Sequence, residues 1–117
     1  MREKDFEKKV KDFLKKEGCW VLKTWSNGIQ REGIPDLLVC CNGVFIGVEL
    51  KAENGHPSEL QIWNVEQIRK AGGMAIILYP DQYEDFRIMI RQLRSNFVES
   101  AYMYQFKFRM KKGMKDE

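Results

Sequence analysis

The sequence predicts a mixed α/β domain in the order αβββαβαβ. Three observations predict it. Phe6, Val10, Phe13 and Leu14 form one apolar stripe at helical spacing among charges. Asn42-Gly43 separates two apolar runs, the strongest short-range signal for a hairpin. Met74–Tyr79 is a short apolar run preceded by Gly72-Gly73, as expected of a buried strand after a helix.

Each element follows in order. Residues 3–17 read as a helix ended by Gly18, a common residue just past a helix C-terminus. Residues 19–25, with Trp20, Val21 and Trp25, read as a strand rich in aromatic and β-branched side chains. Ser26 to Gly33 is a polar, glycine-bearing loop. Pro35–Cys41 and Val44–Lys51 are the hairpin strands, and Ala52 to His56 is a loop. Pro57 suits a first helical position, so a second helix is expected over 57–71. A third is expected over 81–96, with Asp81 as N-cap and Phe86, Ile90, Leu93 and Phe97 on one side. Tyr102, Tyr104, Phe106 and Phe108 alternate with polar or basic neighbours, which predicts a last strand over 102–110. Its aromatic face is expected in the core or at a dimer seam, with a base-stacking platform as the alternative.

Composition bounds the rest. The 117 residues fit one domain of roughly 100–150, which excludes a large multidomain enzyme. Residues 1–110 are expected to be that domain and 111–117 a basic, disordered tail. The net charge of +3 permits nucleic-acid binding without arguing for it. No apolar run approaches the ~18 residues of a membrane span, and the charged start lacks a signal-peptide core, so a cytoplasmic protein is expected. Cys19, Cys40 and Cys41 form no CxxC and His56 is the single histidine, which excludes a zinc site and histidine-based hydrolases. Cys40 and Cys41, in an apolar run, are expected as buried free thiols.

The hairpin carries the chemistry. Closing it on Asn42-Gly43 opposes 41 with 44, 39 with 46 and 37 with 48, so Asp36 faces Glu49. Two opposed carboxylates repel, and a divalent cation with a preference for oxygen ligands, Mg²⁺ or Mn²⁺, is the natural compensation. Alternation along the strand puts Lys51 on the same face as Glu49. Carboxylates, a metal and a lysine suit phosphodiester hydrolysis. A lone acidic-x-Lys is nearly worthless as a signal, since Glu7-x-Lys9 matches too. The combination of Pro-Asp, Asn-Gly and Glu-x-Lys in matched register is what counts.

Gly33-Ile34-Pro35-Asp36-Leu37-Leu38-Val39, Gly47-Val48-Glu49-Leu50-Lys51, and Ser58 with Gln61 before Gly72-Gly73 resemble the PD-(D/E)xK nuclease superfamily. The chain looks most like its compact VRR-NUC type, found in phage replication-repair nucleases, and archaeal Holliday-junction resolvases are similar. The resemblance covers roughly residues 3–80. It implies a restriction-endonuclease-like fold and a Mg²⁺ or Mn²⁺ held by Asp36, Glu49 and the Leu50 carbonyl. It implies catalytic roles for Asp36, Glu49, Lys51 and Gln61, and a further acidic ligand on the first helix. Glu7 is assigned there, with Glu3 as its competitor. The expected activity is a metal-dependent DNA endonuclease, structure-selective on junctions or flaps, in a bacterial or phage-infected host. The alternative is a catalytically silent nucleic-acid-binding module of the same fold. A homodimer is expected, because resolving a four-way junction takes two nicks. Lys23, Thr24, Ser26 and Arg31, on or beside the loop before Pro35, are expected to touch phosphates.

Overall fold

The first helix, α1 (Glu3–Lys16), buries Phe6, Val10, Phe13 and Leu14, the stripe read from the sequence. In this computed structural model residues 1–25 and 32–110 are described. Strand β1 (Trp20–Lys23) is shorter than expected and runs antiparallel to β2 (Leu37–Cys41). Strand β3 (Val44–Leu50) closes the hairpin with β2, with Cys41 opposite Val44 and Leu37 opposite Val48. The turn bears out the Asn-Gly signal: Asn42 has φ 51° and Gly43 φ 80°, the paired positive angles of a type I′ turn.

Helix α2 (Glu59–Lys70) crosses from β3 to β4 (Met74–Leu78), which lies parallel to β3. The sheet order is β1-β2-β3-β4. α2 begins two residues later than expected. Pro57 lies before the helix rather than at its first position, and Ser58 caps it: the Ser58 hydroxyl accepts the Gln61 N–H, and the Gln61 side chain returns to the Ser58 N–H.

A one-turn 3-10 helix (Pro80–Gln82) leads into α3 (Tyr83–Arg94). Asp81 does not cap it. Its carboxylate pairs with Arg109 at 2.6 Å, and the position before α3 is Gln82. Phe86, Ile90 and Leu93 are buried as expected, but Phe97 lies beyond the helix and is exposed.

The expected last strand is instead α4 (Val98–Tyr104) followed by a 3-10 turn (Gln105–Lys107). The buried set is Ala101, Gln105 and Phe108, at i, i+4 and i+7. The aromatic alternation misled because Tyr102 and Tyr104 use their hydroxyls as anchors, donating to Gly72 O and to Asp85 Oδ1, both at 2.8 Å. A strand there would also need a ladder. The free side of β4 at Ala75 is already occupied: its N–H donates to Gln105 Oε1 at 3.1 Å, and its carbonyl accepts from Arg69 Nε at 2.8 Å.

The result has three layers. α1, α3 and α4 cover one sheet face through Leu37, Val39, Cys41, Ile46, Val48 and Leu50. α2 covers the other through Val65, Ala75, Ile77 and Tyr79. Gly47 permits that approach: a Cβ there would meet Ile68 Cδ1 at 2.9 Å and Pro35 Cγ at 3.0 Å. β1 and β2 extend past α2, leaving Trp20, Leu22 and Cys40 exposed on the uncovered face. Cys40 therefore corrects the expectation of a buried thiol. Its neighbour Cys41 is buried because alternate residues of β2 face opposite ways. No helix among the described residues is long and apolar enough to cross a membrane. The tail, 111–117, lies outside the described residues.

Candidate active site

The site forms where β2 begins and β3 ends. One step below Leu37 opposite Val48, the ladder brings Asp36 to Glu49, as the hairpin register requires. Asp36 is fixed from two sides. Its Oδ2 accepts the Leu50 N–H at 2.9 Å. Thr24 grips its peptide, donating from N to Asp36 O at 2.9 Å and from Oγ1 to Pro35 O at 2.9 Å.

The sequence pattern places Asp36, Glu49 and Lys51 on one face of the sheet. α2 lies over it, and Glu49 is only 2% exposed. Burial first, and the facing Asp36 carboxylate second, push the Glu49 carboxyl up to about 8, against the pull of Lys51. Its Oε2 accepts from Gln61 Nε2 at 2.8 Å and lies 3.5 Å from Lys51 Nζ. Its Oε1 is buried and has no hydrogen-bond partner. Asp36 offers only acceptors when ionised, so a proton or a cation is what the pair lacks.

Gln61 is thus held at both ends of its amide. Oε1 accepts the Ser58 N–H at 2.8 Å, which turns Nε2 toward Glu49. Ser58-x-x-Gln61 is a capping-box pattern, so this coupling of helix start to site was readable in the sequence and was missed there. The loop after Lys51 is shaped by Tyr79, whose hydroxyl donates to Gly55 O at 2.9 Å.

The two helix carboxylates part company. Glu7 Oε1 accepts from Lys23 Nζ at 2.6 Å, and Oε2 lies 3.5 Å from Lys11. Glu3 Oε1 instead accepts the Ala52 N–H at 3.2 Å, just past Lys51. Among the described residues, no three His, Cys, Asp or Glu side chains cluster as a metal site. Of the phosphate-contact set, Lys23 is engaged with Glu7 and Thr24 with the Pro35-Asp36 backbone. Ser26 and Arg31 lie outside the described residues.

The donor set still fits a hard divalent cation. Asp36 and Glu49 supply facing carboxylates, Leu50 a main-chain carbonyl next to both, and the unpartnered Glu49 Oε1 a vacant acceptor.

Comparison with known proteins bears on this geometry. A family model described as archaeal Holliday junction resolvase (Hjc) matches residues 1–112. No curated protein matches the chain. Among solved structures it is similar to Hjc, a Holliday junction resolvase from the archaeal hyperthermophile Archaeoglobus fulgidus. The identity is 18%, the TM-score 0.53, and the match covers 65% of this chain and 66% of that one, just under two thirds of its length. That likeness establishes the fold, in agreement with the restriction-endonuclease-like architecture expected from the sequence.

Proposed function

The chain belongs to the archaeal Holliday junction resolvase (Hjc) family, and from that premise we propose that it is a metal-dependent endonuclease that cuts branched DNA. The observation that carries the reading is Glu49 Oε1, buried without a donor opposite a second carboxylate and beside a lysine. A silent binding module would have no use for such a costly pair.

Asp36, Glu49 and the Leu50 carbonyl hold Mg²⁺ or Mn²⁺ in this reading. When bound, the ion supplies Lewis acidity to the scissile phosphate and a nucleophilic water at neutral pH. Lys51, 3.5 Å from Glu49, places its ammonium against the negative charge that develops on the phosphate. Gln61 holds Glu49 Oε2 and leaves Oε1 as the oxygen that would serve as a ligand. Thr24 fixes the peptide of Asp36. Glu7 is the α1 carboxylate that the sequence resemblance assigns to the set, and Lys23 is the cation it must exchange. Lys23 released to a phosphate would then serve the DNA, together with Ser26 and Arg31.

Recognition by shape rather than by base sequence is part of this reading, since no helix among the described residues resembles a base-reading one. The finer affiliation with the VRR-NUC type, and a setting in replication or repair in a bacterial or phage-infected host, are proposed from the motif resemblance, and the cytoplasm from the apolar pattern of the sequence. A homodimer is proposed across the uncovered face and free edge of β1, where Trp20 is 60% exposed and aligns with Cys40 and Phe45.

The test is incubation with four-way-junction, flap and linear duplex DNA, with and without Mg²⁺. Metal-dependent cutting of the junction that Lys51→Ala removes is the expected result. Absence of any metal-dependent cutting would end the enzyme reading in favour of the binding module.

A further inference from the structure

Cys19 and Cys41 are nucleophilic side chains that the site does not use. The β1–β2 ladder sets Trp20 opposite Cys40 and Val21 opposite Val39, so the next pair outward is Cys19 opposite Cys41. Thr24 N–H donates to Asp36 O, which makes 24/36, 22/38 and 20/40 the hydrogen-bonded pairs and leaves 19/41 a non-hydrogen-bonded one. Consistently, the Cys19 N–H turns away to Leu14 O at 3.0 Å. In such a pair the Cα atoms lie roughly 4.5 Å apart, inside the span of about 4.4–6.8 Å that a disulfide bridges. Both side chains point into the same buried cluster. The two thiols face each other: the Cys41 thiol first and burial second push Cys19 up, whereas Cys19 holds Cys41 down against burial, and the Arg94 guanidinium lowers both. Cys40 faces the opposite side of the sheet and is exposed.

We propose that Cys19 and Cys41 are an intramolecular disulfide site, closed by a two-electron oxidant of the peroxide class. The Cys41 thiolate attacks one peroxide oxygen, the O–O bond breaks, and the departing hydroxide takes up the thiol's proton as water. Cys41 is then a sulfenic acid. Cys19 Sγ attacks that sulfur, the S–S bond forms, the S–O bond breaks, and hydroxide leaves with the Cys19 proton as a second water. Two thiols lose two electrons and one peroxide becomes two waters. The crosslink staples the edge strand β1 to β2 and closes a covalent loop from 19 to 41 that contains Asp36 and its approach. It does so without depending on the nuclease reading, because the thiols lie on the sheet face opposite Glu49.

Treating the native, full chain with hydrogen peroxide, then unfolding and alkylating it, tests this. The expected product is monomeric, lighter by about 2 Da, and takes label at only one of its three cysteines, Cys40. Peptide mapping should join the segments holding Cys19 and Cys41. Its melting temperature should lie about 10 °C above that of the reduced chain and fall back on adding dithiothreitol. Cys40→Ser should leave the crosslink intact, and Cys19→Ala should remove it. Should Cys19→Ala fail to fold, the map of the wild-type chain decides alone. Oxidation confined to Cys40, a Cys40-linked dimer, or three labelled thiols after treatment that oxidises Cys40 in the unfolded chain would each overturn the proposal.

Discussion

Gln61 donates from Nε2 to Glu49 Oε2 while its Oε1 accepts the Ser58 N–H, both at 2.8 Å, so one amide ties the start of α2 to the end of β3. Ser58→Ala removes the hydroxyl that accepts the Gln61 N–H and should cost about 1 kcal/mol in urea unfolding. It leaves the bond to Glu49 in place, so cleavage should persist near the wild-type rate. Gln61→Ala removes both bonds and should lower kcat at least tenfold at similar stability. Equal loss of activity in the two variants would mean that the helix start matters and the amide does not.

The Glu49 carboxyl, held at about 8, is protonated at neutral pH without a cation, whereas the unfolded chain's is not. Its folded value lies above the ordinary 4.5, so the folded chain binds the extra proton between these limits. Stability of the metal-free protein should therefore fall as pH rises from about 4.5 toward 8, and Glu49→Gln should abolish that slope. A cation must displace the proton, so Mn²⁺ affinity should rise about tenfold per pH unit and level off above 8. Titration calorimetry in buffers of different ionisation enthalpy should register about one proton released at pH 7. No release would contradict the assignment.

Lys51→Ala should cut junction DNA about 10²–10³-fold more slowly while binding it as well as the wild type. Gel-shift and single-turnover assays on the same junction separate the two. Parallel loss of binding would make Lys51 a phosphate anchor only.

Glu7 and Glu3 can be told apart by the same titration. If Glu7 joins the cation, Lys23→Met removes the nearer of its two lysine partners, leaving Lys11, and should tighten Mn²⁺ binding several-fold, and Glu7→Gln should weaken it. Glu3→Gln should leave binding unchanged and loosen only the Ala52 contact. The reverse pattern would transfer the role to Glu3.

Trp20→Glu, which places a charge on the uncovered face, should convert the proposed dimer to a monomer in sedimentation without altering the melting temperature by more than a few degrees. A wild-type chain that sediments as a monomer with and without DNA would refute the pairing.

The hairpin, its register and the four strands were legible in the sequence because each depends on local signals: a turn dipeptide and period-two alternation. The facing of Asp36 and Glu49 followed from the turn alone. What was not legible depends on contacts distant in sequence. Covering Glu49 requires α2, whose seat is Gly47, a residue that a strand pattern treats as merely weak. The helix over 98–104 replaced a strand because side chains from Arg69 and Gln105 already occupy the backbone such a strand would pair with. The fate of Glu7 turns on Lys23, sixteen positions away and on another element. Cys40 and Cys41 look alike in an apolar run, and only the extent of α2 tells which side of β2 is left bare.

Gln105 and Arg69 occupy the outward backbone groups of Ala75 on the border strand β4. A copy joined through β1, as proposed, would turn both β1 borders inward about a two-fold axis. Strand addition at the far side would have to displace the Gln105 and Arg69 side chains from Ala75, so that side of the sheet guards a tryptophan-bearing protein against growth beyond the pair.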